Sequence, residues 1–126
     1  MNRLATTLKA FGDEIGLEGL SLRKRHHLTL QMESGLRVAV EAAENDVLVY
    51  ASEPVAYEGA ERLLRAWRQA YFNRLKGRPV QAALREEDET LRLLAVARLP
   101  ADDFSVQTLR ETVSYLARWL DATRAD

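Results

Sequence analysis

Residues 28–51 read LTLQMESGLRVAVEAAENDVLVYA, and their alternation decides the fold. In an extended chain Leu28, Leu30 and Met32 point one way and Thr29 and Gln31 the other. Glu33-Ser34-Gly35 then makes a short turn, with glycine available for positive φ. Leu36, Val38 and Val40 alternate with Arg37, Ala39 and Glu41. Glu44-Asn45-Asp46 is a second turn, and Val47 to Ala51 form a third strand that is apolar on both faces. Three strands joined by tight turns predict an antiparallel meander.

On either side of the meander the period becomes helical. Leu4, Leu8, Phe11 and Ile15 recur at one helical face, with Asn2 as N-cap and Gly16 and Gly19 closing the segment. After the meander, Ser52-Glu53-Pro54 is expected to break the sheet pattern, and a helix to run from about Ala56 to Leu75. Glu58–Arg62 and Glu61–Arg65 are spaced as surface i,i+4 pairs. Val80 to Arg85 and Thr90 to Leu99 then read as two strands around the acidic turn Glu86–Glu89, and Pro100 ends the second. Ser105 is placed to cap a last helix, with Phe104 and Leu109 at hydrophobic-staple positions. Val106, Leu109, Val113, Leu116 and Leu120 form its buried stripe, Trp119 lies beside it, and the tail from Thr123 is expected to fray. The predicted architecture is one α+β domain over residues 1–126, ordered α-βββ-α-ββ-α, with a twisted antiparallel sheet packed by helices.

Composition narrows the function. The 126 residues are 47% hydrophobic and 29% charged, which fits one globular core without covalent staples. There are no cysteines, so disulfides, thiol catalysis and cysteine zinc sites are excluded. The N-terminal stretch lacks the continuous apolar core of a signal peptide, and no run reaches membrane-spanning length, so a cytoplasmic protein is expected. A net charge of −1 provides no basic excess for nucleic acid. The dense run Arg23 to His27 reads as a solvated loop entering a strand.

No catalytic arrangement emerges. His26 and His27 are adjacent, so in a strand they face opposite ways and cannot share a metal ion. Asp102 and Asp103 sit just ahead of the last helix, where the helix dipole favours negative charge. The Glu86–Glu89 run lacks the spacing of a calcium loop, and no glycine pattern cradles a phosphate. No catalytic residue, cofactor or metal is expected, and the protein reads as a binder and not an enzyme.

The middle helix is too apolar for a single contact. Ala60, Leu63, Leu64, Trp67, Ala70, Tyr71, Phe72 and Leu75 spread over roughly 200° at ~100° per residue. Either it is buried on most sides, or one face packs on its own sheet and another on a second subunit. Trp, Tyr, Phe and Arg are residue types enriched at interface anchors, which favours the second reading.

The order of elements resembles the class I type III secretion chaperones of Gram-negative bacteria, the Tir-chaperone-like family. The resemblance runs through LATTLKAFGDEIGLEGLSL at residues 4–22, the meander, RLLRAWRQAYFNRL at 62–75 and LRLLAVARLPADDFSVQTLRETVSYLARWLD at 91–121. It implies a cytoplasmic homodimer or heterodimer that binds the N-terminal region of a secreted effector or export-apparatus protein. The client would stay non-globular and secretion-competent, and the chaperone would dock to the export apparatus without inserting into a membrane. It implies dimer contacts on the middle helix, here Leu63, Leu64, Trp67, Arg68, Tyr71 and Phe72. It implies client contacts on the first helix and meander, here Leu4, Leu8, Phe11, Leu28, Leu30, Val38 and Val40. The competing readings are a non-secretion protein-binding adaptor on the same scaffold and, behind it, a small ligand-binding domain or enzyme.

Overall fold

The computed structural model describes residues 27–31, 35–55, 59–76, 79–87 and 89–124. The expected first helix lies outside them. Strands β1 (His27–Gln31), β2 (Arg37–Ala43) and β3 (Asp46–Pro54) form the meander. Helix α1 (Gly59–Lys76) follows, then β4 (Gln81–Glu87), β5 (Thr90–Pro100) and helix α2 (Val106–Ala122). The five described strands are all antiparallel in the order β1-β2-β3-β5-β4. The chain is therefore α+β, as the alternation predicts.

Turn chemistry sets the register. Gly35 adopts φ +95 between β1 and β2, the conformation for which glycine was expected. Ala43 pairs with Asp46, so Glu44 and Asn45 alone connect β2 to β3. Ser52-Glu53-Pro54 does not break the sheet: β3 runs on to Pro54, which faces Arg92 at the strand end. Proline is tolerated there because no further ladder bond is required of its nitrogen.

One sheet face carries the core. Val40 pairs with Val49 and Val49 with Ala97; Val38 pairs with Ala51 and Ala51 with Ala95. These rows are buried together with Val47, Leu93 and Leu99. Leu109, Leu116, Trp119 and Leu120 of α2 and Ala66 of α1 complete the same cluster. Each fully buried leucine contributes roughly 1.5–3 kcal/mol by leaving water. Ser105 caps α2 as expected: its hydroxyl accepts from the Thr108 amide at 3.1 Å, and the Ser105 amide donates to Thr108 Oγ1 at 2.8 Å. The opposite sheet face carries no described helix and presents Arg37, Glu41, Tyr50, Arg92 and Arg85 from successive strands.

Candidate functional site

Two stripes of α1 divide its work. Ala66 and Arg62 are buried, and Leu63 and Ala70 pack against the core. Leu64, Trp67 and Tyr71 are 47%, 55% and 65% exposed. At ~100° per residue these three fall within ~60° of arc, about 100° away from the buried stripe. Arg68 is exposed beside them, and Phe72 follows, its side chain outside the described residues. The apparent excess width of the helix is thus two adjacent faces. Of the proposed dimer residues, Leu63 serves the core and Leu64, Trp67, Arg68 and Tyr71 share the outer surface.

The outer stripe continues onto the edge strand β4. The Trp67 indole N–H donates to Ala82 O at 3.3 Å. Trp67, Ala70, Pro79, Val80, Ala82 and Val96 line a groove of about 780 Å³ there. Exposed apolar patches of this kind, beside a strand edge that is unpaired among the described residues, mark protein-binding surfaces more often than catalytic ones.

A buried ionic cluster fixes α1 against the end of α2. Arg62 Nη2 donates to Glu53 Oε2 and, at 3.2 Å, to Leu120 O; its Nε donates to Thr123 Oγ1 at 2.8 Å. Arg65 Nε reaches Thr123 O at 2.8 Å. Arg124 grips Glu53 with Nη2 at 2.7 Å and Nε at 3.1 Å. Burial pushes the Glu53 carboxyl up, but the hydrogen bonds and charges of Arg124 and Arg62 outweigh it and hold the group below its ordinary value. Sequence spacing placed Arg62 and Arg65 on the surface facing Glu58 and Glu61. The structure turns both toward the end of α2, and Thr123, expected to fray, is 1% exposed. The missed signal is that Arg62 shares the helical stripe of Ala66 and Ala70.

The proposed client residues separate. Leu4, Leu8 and Phe11 lie outside the described residues. Leu28 and Leu30 sit on β1 as the Cα partners of Val40 and Val38. Val38 and Val40 are each 2% exposed and belong to the core, so they present no surface to a client. Their alternation signals a buried face and does not say what buries it.

The sheet face opposite the described helices holds a separate pocket of about 320 Å³. Ala39, Ser52 and Leu94 lie among its lining residues, with Arg37, Glu41, Tyr50, Arg85 and Glu87 around them. The Tyr50 hydroxyl donates to Glu41 Oε1 at 2.7 Å. Burial, then that hydrogen bond and the Glu41 charge, push the Tyr50 pKa up. Among the described residues no group of His, Asp and Glu is arranged to hold a metal ion. No described helix is long and apolar enough to cross a membrane.

No family model matches the sequence, and the search among curated proteins finds no relative. Solved structures do match. In the HopA1–SchA chaperone–effector complex, a chain 15% identical superposes at a TM-score of 0.74, covering 98% of this chain and 94% of that one. The complex of the Yersinia pestis type III secretion chaperone SycH with a stable fragment of YscM2 matches at 0.68 with 18% identity, covering 96% and 99%. YbjN from E. coli matches at 0.56 with 17% identity, covering 94% and 86%. The chain has the fold of the type III secretion chaperones, and that fold also occurs in YbjN.

Proposed function

We propose that the protein is a type III secretion chaperone, a binding protein and not an enzyme. It holds the N-terminal region of a secreted effector or export-apparatus protein in non-globular form. The observation that carries this reading is the exposed Leu64–Trp67–Tyr71 stripe on a scaffold shared with chaperones solved in complex with effectors. Two copies pack through this stripe and Arg68, as a homodimer or with a related chain. The client lies along the N-terminal segment, with Leu4, Leu8 and Phe11, and along β1, with Leu28 and Leu30. An extended segment can add main-chain hydrogen bonds at the β1 edge while its apolar residues enter shallow grooves. The working location is the cytoplasm of a Gram-negative bacterium, with docking to the export apparatus.

Co-expression with N-terminal fragments of effectors from the same genome tests the reading. A cognate fragment co-purifies and becomes protease-resistant. If every such fragment is lost on purification while a cytoplasmic protein that is never exported is retained, the adaptor reading replaces it. The occurrence of the fold in YbjN favours that alternative over an enzyme.

A further inference from the structure

Helix α1 carries an acid and a base at equivalent places beside its exposed stripe. Leu64, Trp67 and Tyr71 follow one another at spacings of three and four, the alternate core positions of a heptad, and Ala60 precedes them in the same series. Glu61 and Arg68 are seven residues apart and both exposed, so they flank this series on the same side. Its other side carries Leu63 and Ala70, which pack against the core.

Neither charge is engaged within the chain. Arg65, four residues after Glu61, donates instead to Thr123 O at 2.8 Å. Among the described residues no ion pair includes Glu61 or Arg68. Trp67, between them, is held by its indole N–H on Ala82 O at 3.3 Å, so its ring is a fixed feature of the surface. The stripe is complementary to itself when reversed. Turning the helix about the point midway between Leu64 and Trp67 exchanges these two residues and also exchanges Ala60 with Tyr71. It brings Glu61 of one copy within two residues of rise, about 3 Å along the axis, of Arg68 of the other.

We propose that a second copy of this chain docks antiparallel on α1, with Leu64 against the partner's Trp67, Ala60 against the partner's Tyr71, and Glu61 paired with the partner's Arg68. The proposal rests on the reading of the outer α1 stripe as a dimer contact and adds the orientation, the register and the identity of the partner. Both halves of the complement lie on one chain, as a two-fold contact between identical subunits requires. The small Ala60 leaves room for the partner's Tyr71 ring. A parallel two-fold pair would instead set like charges level with each other, Glu61 with Glu61 and Arg68 with Arg68. Flanking charges of this kind set partner choice and orientation more than they add affinity.

The test is the dimer dissociation constant of the full chain, measured by sedimentation at low salt, with charge-reversed variants. Glu61→Arg and Arg68→Glu each turn two attractive pairs into two repulsive ones, and each is expected to weaken self-association by about tenfold or more. The chain carrying both reversals is expected to regain the parent affinity. An equimolar mixture of the two single variants is expected to form mixed dimers in preference to either self-pair, counted by native mass spectrometry. Both positions are exposed, so the fold withstands these changes, and recovery in the double variant reads the pairing independently of folding. The proposal is overturned if neither reversal weakens the dimer, if the double variant is no better than the single ones, or if mixed dimers form only at the random share. A dimer that Trp67→Glu separates but the reversals leave intact refutes the register alone. A parent chain that stays monomeric refutes the dimer contact with it, and retention of an effector fragment by that monomer leaves the chaperone reading standing.

Discussion

Arg62 Nε donates to Thr123 Oγ1 at 2.8 Å, joining α1 to the residue that ends α2. The same guanidinium reaches Glu53 on β3 and the Leu120 carbonyl, so one side chain ties three elements together. Arg62→Ala leaves Glu53 with Arg124 as its sole cationic partner among the described residues and frees the end of α2. A loss of about 3 kcal/mol is expected, read as a lower urea midpoint. Arg124→Ala is expected to cost about 1 kcal/mol or less, because that arginine is largely solvated. Equal losses in the two variants would mean that Arg62 does not anchor the cluster.

The same cluster sets an acid limit. Glu53 has its pKa lowered in the folded chain, so its contribution is fully present above the ordinary value of 4.5 and is lost as pH falls through the lower folded value. Denaturation midpoints measured from pH 7 to pH 3 are expected to fall on the acid side. Glu53→Gln is expected to lower the midpoint at pH 7 and to flatten that acid slope. An unchanged slope would place the acid sensitivity in other carboxylates.

Packing on α2 makes a separate prediction. Leu116 is fully buried, and Leu116→Ala is expected to cost about 2–5 kcal/mol through lost transfer energy and a residual cavity. Ser105→Ala removes the capping box and is expected to cost about 1 kcal/mol. Thermal melts of both variants check the ranking.

The outer stripe of α1 predicts an effect on association with little effect on folding. Trp67→Glu places a charge on a surface that is exposed in the single chain, so the monomer stays folded. At a dimer contact it is expected to weaken association by about 30-fold or more. Light scattering combined with size exclusion separates the outcomes. A variant that remains a dimer would put the contact elsewhere.

The strands were legible because alternating Val38, Val40, Val47 and Val49 leaves a sheet few registers that bury one face. The cap at Ser105 and the turn at Gly35 were legible because their chemistry is local. The exposed stripe of α1 was legible as excess apolar width. Long-range polar contacts were not. Arg62 and Glu53 are distant from Thr123 in sequence, and a charged residue four positions from an oppositely charged one, as Arg62 is from Glu58, reads as surface. The same limit hid the Arg37–Glu87 ion pair, whose partners are 50 residues apart. It also made Val38 and Val40 candidates for client contact, since periodicity distinguishes a buried face from a wet one but not a core from a groove.

The central claim is that this chain holds a secreted protein's N-terminal segment without folding it into a globule. Amide NMR of an isotopically labelled effector fragment, bound to the unlabelled chain, tests it most directly. The account predicts slowed tumbling and new strand-like shifts confined to the contact segments, with no folded core in the fragment. A bound fragment with the dispersed spectrum of an independently folded domain, or no bound effector fragment at all, would contradict it.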